Sequence, residues 1–343
     1  MREGRGNMKD KKRQLGILLF FSMILLLAAC GGSSEEKVLE KVEKKLSETK
    51  SYKMEAEMKM HTGKDVRAYN IDVLHKQEEK DFFRVTLKNE EDGQVILKNE
   101  DGVFILTPNS NKSFKFQTDW PENSSQPYLY QSIVRDILVD DEAVMTERDD
   151  HYLFEVKTNY EHQSNLPSQQ VFIDKKTWLP VAVNVLDQDK NTLIEVVLTE
   201  VETNIAIDPA EFEEDTVKKE MTNEVAVNTD ETSAGLEVKY PLNTFGATLE
   251  DKEDVQLEDG QRVIMTFKGE APFTFIQEKL TSETVTTKEV AGELVELGDK
   301  FGAMYPNTVE WTDNGVDYYL ASESLSESEL LEVAQSIERT EAK

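Results

Sequence analysis

Cysteine is all but missing from this chain: one residue, Cys30, in 343. A disulfide needs two thiols and a structural zinc site about four nitrogen or sulfur ligands, so neither can staple the fold. Histidine is nearly as scarce. His61, His75, His151 and His162 form no i, i+4 pair and have no cysteine beside them. Each is read as a surface or strand-end side chain, and no metal is expected. Positive charge is also in short supply, at 39 Lys and Arg against 68 Asp and Glu. A nucleic-acid partner needs a basic footprint, so that class is excluded. Long hydrophobic runs are absent too. The longest, Leu15 to Ala29, has fifteen residues, short of the roughly 20 that a permanent transmembrane helix needs. No G-x-S-x-G, P-loop or G-x-G-x-x-G occurs, and with so many acids, carboxylate pairs arise by chance and carry no glycosidase signal. The chain reads as a non-enzyme without cofactor.

What is present begins at that short run. Lys9, Lys11, Lys12 and Arg13 form a basic head, and Leu27-Ala28-Ala29-Cys30 closes the run with small residues. This is the layout of a secretory signal, and its last four residues resemble the bacterial lipobox. The resemblance implies cleavage between Ala29 and Cys30 and a diacylglycerol thioether on the Cys30 sulfur. Two acyl chains anchor stably where one does not. Residues 1–29 are then a lipoprotein signal peptide and 30–35 a lipidated tether on the extracytoplasmic face of the cell membrane. Without residues 1–29 the chain keeps 33 basic and 66 acidic side chains. That charge holds the protein off anionic headgroups everywhere except at its anchor.

Val38, Leu39, Val42 and Leu46 recur at helical spacing. The period then drops to two: Tyr52, Met54, Ala56, Met58 and Met60 alternate with charged residues, as in a half-buried strand. Short alternating segments follow to Phe116, separated by turn residues, which describes an antiparallel meander. Leu129, Ile133, Val134, Ile137 and Leu138 mark a second amphipathic helix, and four more strands run to Leu198. Asp187-x-Asp189-x-Asn191 copies the start of a calcium loop. Its sixth position is Thr192 and its twelfth Leu198, so it is read as a hairpin turn. Residues 213–235 are acidic and weakly periodic, the composition of a linker. From 236 to 340 a smaller domain shows alternating strands, an Asp313-Asn314-Gly315 turn, and a helix opened by Ser326 and Glu329 in capping-box spacing. The expected fold is α+β: a curved antiparallel half-barrel sheet lidded by helices over 36–212, plus a small α+β C-terminal domain.

That order of elements, with VILKNEDGVFILTPNSNKSFKF at 95–116 and a closing IDPAEF at 207–212, resembles the LolA-like superfamily. This superfamily includes the outer-membrane lipoprotein carrier, mycobacterial lipid-binding lipoproteins and the periplasmic regulator RseB. FQTDWPENSSQPYLYQSIVRDIL at 116–138 is most similar to the YdcC-type lipoproteins of spore-forming, Bacillus-type bacteria. The resemblance implies a groove for acyl chains and a lipid or acylated ligand, with an envelope role linked to sporulation. On the RseB precedent, a membrane-protein partner bound without lipid cargo is the alternative. The carrier's latch, an Arg ahead of Pro-x-x-Phe, has no match in HKQEEKDFF at 75–83, so latch-driven release is not carried over. Arg84, just beyond, is expected to face solvent. Met54, Met58, Trp120, Tyr128 and Tyr130 are the candidate groove or rim residues. Aromatic and methionine side chains suit irregular apolar ligands, and they suit plain core packing equally well.

Overall fold

The computed structural model describes residues 34–62, 65–89, 93–107, 112–122, 124–160, 166–228, 235–280, 286–298 and 300–339. Ala29, Cys30 and His162 lie outside these. The chain divides into two compact units at Lys41. Among the described residues the first holds only the opening turns of helix α1 (Glu35–Glu48). The second, from Val42 onward, holds everything else.

Eleven strands follow α1: β1 (Ser51–Thr62), β2 (Asp65–Gln77), β3 (Asp81–Lys88), β4 (Gly93–Asn99), β5 (Gly102–Leu106), β6 (Lys112–Phe116), β7 (Val144–Glu147), β8 (His151–Lys157), β9 (Ser168–Asp174), β10 (Pro180–Leu186) and β11 (Thr192–Thr203). Helix α2 (Tyr130–Val139) interrupts them between β6 and β7. The first six strands form a meander, the last five form another, and β1 pairs with β11 to join them. Bulges at Glu55/Ala56, Pro180/Ala182 and Val185/Leu186 bend this sheet, and its two ends do not meet.

Alternation decides which face is which. Tyr52, Met54, Met58, Ile71, Val73, Phe83, Val85, Val183 and Val196 share the inner face and are each at most 3% exposed. At roughly 1.5–3 kcal/mol per fully buried large apolar side chain, this layer dominates the first sheet's stability. Segment 117–129 and α2 cover it. Trp120 meets Phe83 edge-on at 5.9 Å, and Tyr130 meets Tyr52 edge-on at the same distance. Farther along α2, Asp136 accepts from Gln169 of β9 at 2.8 Å.

The second sheet is built from β13 (Thr248–Leu257), β14 (Gly260–Lys268), β15 (Phe273–Leu280), β17 (Glu293–Glu296), β18 (Phe301–Tyr305), β19 (Thr308–Asp313) and β20 (Val316–Ala321). A ribbon of β12 (Lys239–Pro241) with β21 (Ile337–Arg339) lies beside it. Phe275, Trp311 and Tyr318 stack nearly parallel on one face, with centroids 5.1–6.3 Å apart. The terminal helix (Glu327–Gln335) joins that core through Leu330, Leu331, Val333 and Ala334. Its capping box forms as the sequence suggests: the Ser326 amide donates to the Glu329 carboxylate at 2.8 Å, and the Glu329 amide donates to the Ser326 hydroxyl. The β19–β20 hairpin turns through Asn314 and Gly315 at φ 47° and 71°, the left-handed pair that Asn-Gly supplies at least cost.

Three expectations change. Segment 213–235 is not a plain linker. After a 3-10 turn at Pro209–Phe212, helix α3 (Glu214–Asn228) lies on the outer face of the first sheet. Phe212, Val217 and Met221 pack there against Leu74, Phe82, Val95, Leu97, Phe104 and Leu106. Among its described side chains Val217 and Met221 are the apolar anchors, spaced i and i+4, and the surrounding acids and threonines gave the segment the composition of a linker. Arg84 does not face open solvent: it donates to Glu211 at 2.7 Å and also to Glu220, and these two acids in the acidic stretch cover it. His75 is 1% exposed, stacked on Tyr52 at 5.0 Å and bonded to Asp81 at 2.9 Å. The β2–β3 hairpin sets that carboxylate beside the ring, and this makes the ring's burial tolerable.

One strand of the C-terminal segment belongs to the first sheet. β16 (Thr286–Val290) leaves the C-terminal segment and pairs in parallel with β6, ending the first sheet as its twelfth strand. Thr287 on its outer side donates to Glu214 of α3 at 2.8 Å, and Lys288 on its inner side reaches Glu310 of β19 at 2.6 Å. Gln94 of β4 is a second stitch. Its carbonyl accepts from the Phe301 amide at 2.7 Å, and its amide donates weakly to the carbonyls of Phe301 and Thr312.

Candidate functional site

The inner layer gathers all five candidate residues that lie among the described ones. Met54, Met58, Trp120, Tyr128 and Tyr130 are 0–4% exposed. Met54 and Met58 come from β1, the central strand of the inner face. Trp120, Tyr128 and Tyr130 come from the covering segment and the start of α2. That cover is fastened to itself: Arg135 of α2 donates to the carbonyls of Pro121, Glu122 and Ser124, the last at 2.8 Å. The Ser132 hydroxyl accepts from the Gln126 amide nitrogen at 2.8 Å. The rim residues are therefore held inside the layer, under a rigid strap.

The layer is apolar but holds polar atoms that find no protein partner: Trp120 Nε1, Tyr128 OH, Tyr160 OH, Gln126 Oε1 and Gln169 Oε1. Folded proteins satisfy roughly nine in ten such groups. Two carboxyls stand among them, Asp136 buried and Glu296 half-buried. Asp136 accepts from Ser125 at 2.7 Å and from Gln169, yet burial lifts its pKa above the ordinary carboxylate range against these bonds and Arg135. Glu296 of β17 reaches in from the second sheet, and Gln126 Nε2 donates to its carboxylate at 2.6 Å. Burial pushes the Glu296 carboxyl up to about 7, opposed by the hydrogen bond from Gln126. Tyr128 and Tyr160 are pushed well above the usual phenol range, first by burial and then by the charge of Glu296.

Gln126, Tyr160, Gln169 and Glu296 were not singled out from sequence. Gln126 sits in the stretch that drew attention for its aromatics, but Glu296 is one acid among 68, and nothing local marks it. Outside the inner layer, a cavity of about 330 Å³ lies between the sheet's outer face and α3, walled by Arg84, Lys53, Glu220 and Met221. The Asp187 loop is the β10–β11 turn, with Asp187 accepting from both nitrogens of Asn191. Among the described residues no group of three or more His, Cys, Asp or Glu could hold a metal ion, and no helix is long and apolar enough to cross a membrane.

An open, bent antiparallel sheet with its apolar face strapped by a helix, stitched to a second smaller sheet, makes this a two-sheet α+β protein. The family is specific: residues 11–212 match the model of the sporulation protein YdcC-like family, and the chain belongs to it. It is 40% identical over 315 residues to the sporulation protein YdcC of Bacillus subtilis strain 168, spanning 90% of this chain and 92% of that one. Among solved structures, the MucA/MucB complex of Pseudomonas aeruginosa aligns with 89% of this chain and 99% of its own, at 13% identity and a TM-score of 0.34. A LolA superfamily protein from Nitrosomonas europaea aligns with 54% of this chain and 99% of its own, at 10% identity and a TM-score of 0.32.

Proposed function

We propose that the chain is a lipoprotein held by a diacylglycerol thioether on Cys30 at the extracytoplasmic face of the cell membrane. There its inner layer binds a lipid or an acylated partner. One observation carries this reading. The polar atoms without protein partners, Trp120 Nε1, Tyr128 OH and Tyr160 OH among them, are concentrated in a layer otherwise made of methionine, aromatic and aliphatic side chains. A ligand with a greasy body and one polar end suits that chemistry, whereas a purely structural core gains nothing from it. The name of the Bacillus relative supports a role in sporulation. Native mass spectrometry of a gently purified soluble form beginning at Gly31 tests the reading, with organic extraction of what travels with it. The expected result is one lipid per chain.

A second reading has its own support. Met54, Met58, Trp120, Tyr128 and Tyr130 are so fully buried that the layer is filled by its own side chains. The protein would then act as a scaffold for a membrane-protein partner. A ligand-free mass, together with one partner captured by crosslinking in cells, would replace the first reading with this one.

A further inference from the structure

We propose that Lys98, Trp120 and His75, gathered round the Phe83 ring at one end of the inner layer, form a site for the carboxylate head of a long-chain fatty acid. The inference rests on the lipid-binding reading above and adds the class of lipid. Strand pairing places the residues. Tyr52 of β1 lies opposite His75 of β2, His75 opposite Phe83 of β3, and Phe83 opposite Lys98 of β4. Residues directly opposite share a face, so this row crosses the inner face beside the β2–β3 hairpin. The Phe83 ring centroid lies 4.7 Å from that of His75 and 5.9 Å from that of Trp120, and Lys98 Nζ stands 6.0 Å from it. Each of the three brings an unused polar group. Among the described residues, His75 Nδ1 and Trp120 Nε1 are buried without a hydrogen-bond partner. The Lys98 side chain is 16% exposed, and the carboxylate oxygen paired with it, on exposed Glu122, is 3.8 Å away, beyond hydrogen-bond reach. A mostly buried cation on an apolar face is costly to leave so poorly matched.

The chemistry of these groups selects the head. An ammonium has three N–H donors and an indole one, and neither accepts. His75 Nε2 lies 2.9 Å from Asp81, and that hydrogen bond is the main force holding the Asp81 carboxyl below its ordinary range. An ionised carboxylate only accepts, so Nε2 carries the ring hydrogen and Nδ1 is left to take up a proton. A fatty acid arriving as the neutral acid can pass its own proton to Nδ1. Its carboxylate then faces three donors, and its two oxygens have acceptor sites for all of them. An ammonium head would be repelled by Lys98, and a hydroxyl head would leave that charge unmatched. A phosphodiester has the right charge but more bulk, and Trp120, 2% exposed, closes over the row. The Asp81 side chain is 30% exposed, so the head end is the end that reaches solvent. The next row inward, Met54, Val73, Val85 and Ile96 on the same four strands, is apolar and buried throughout, a bed for a single acyl chain.

The test presents the full mature chain with oleate, with methyl oleate, which has the same chain and no charge, and with dioleoyl phosphatidylglycerol, whose anionic head is a phosphodiester. Bound lipid is read by native mass spectrometry. The expected result is a preference for oleate over methyl oleate of about tenfold or more, the scale of one charge-assisted hydrogen bond. Lys98→Met keeps the stem of a partly exposed side chain and should remove that preference. Trp120→Phe keeps a ring against Phe83 without the N–H and should reduce it. Equal uptake of oleate and its ester, or a preference that Lys98→Met leaves intact, overturns the carboxylate site and leaves the lipid-binding reading standing. Uptake of the phospholipid without oleate does the same. Uptake of none of the three overturns both.

Discussion

A single carboxyl, Glu296, gives this protein a pH response that composition alone would not suggest. Its folded pKa, about 7, lies above the roughly 4.3 of an exposed Glu. Between those values the folded state holds a proton that the unfolded state has released, so stability falls as pH rises across that window. Urea unfolding between pH 4.5 and 7.5 should show a slope of about one proton attributable to this residue, and Glu296→Gln should remove it. An unchanged slope would mean that the carboxyl is hydrated. Gln94 makes a complementary case without charge. Gln94→Leu fills the same space but leaves the buried Phe301 amide unpaired, which should cost about 1–3 kcal/mol in chemical denaturation. Neither residue could be picked out from the sequence. Glu296 and Gln126 lie 170 positions apart, and a long-range hydrogen bond leaves no periodic trace. The residues that were legible are those whose neighbours repeat a pattern. Tyr52 to Met60 alternate because one face is buried, and Asn314-Gly315 must turn left-handed.

At the level of elements, α3 shows which force holds an acidic helix to a sheet. Arg84, 16% exposed, pairs with Glu220 of α3 and Glu211 of the turn before it, carboxylates 45% and 40% exposed, and such half-solvated pairs contribute little. The helix's buried Val217 contributes more. Arg84→Met, which keeps an apolar stem and lets Glu211 and Glu220 hydrate, should therefore cost less than about 1 kcal/mol. Val217→Ala should cost about 2 kcal/mol. The reverse ranking, measured by urea denaturation, would make the ion pairs the dominant anchor. Helix α2 was readable from its regular apolar spacing, whereas α3 was not, because its acids and threonines give it the composition of a linker. The terminal helix was announced by its cap, and Ser326→Ala should lower stability by about 1 kcal/mol.

For the molecule as a whole, β16 matters most. Two domains joined by a flexible linker would unfold independently. Here β16 completes the first sheet from within the second domain's sequence, and Thr287 and Lys288 pin it on both sides. Calorimetry should give one cooperative transition, and a chain truncated after Gly235 should lose solubility because the edge of β6 and the side chain of Gln94 are laid open. Two separate transitions would show the coupling to be weak. The half-barrel pattern and the second sheet could be inferred from alternation, but their joining could not, since a five-residue strand of Thr, Lys, Glu and Val carries no address for its partner. On the proposed anchor, Cys30→Ala should move the protein from the membrane fraction to the medium, and retention in the membrane would count against the thioether.

The same strand sets an order of events in the protein's making. A chain emerges from the ribosome amino end first, so the first sheet's own eleven strands are all out by Thr203, while its twelfth follows only at Thr286–Val290. For that interval of synthesis β6 is a bare edge, able to pair with any passing strand. A cell making this protein needs either a chaperone over that edge or translation fast enough to shorten the wait.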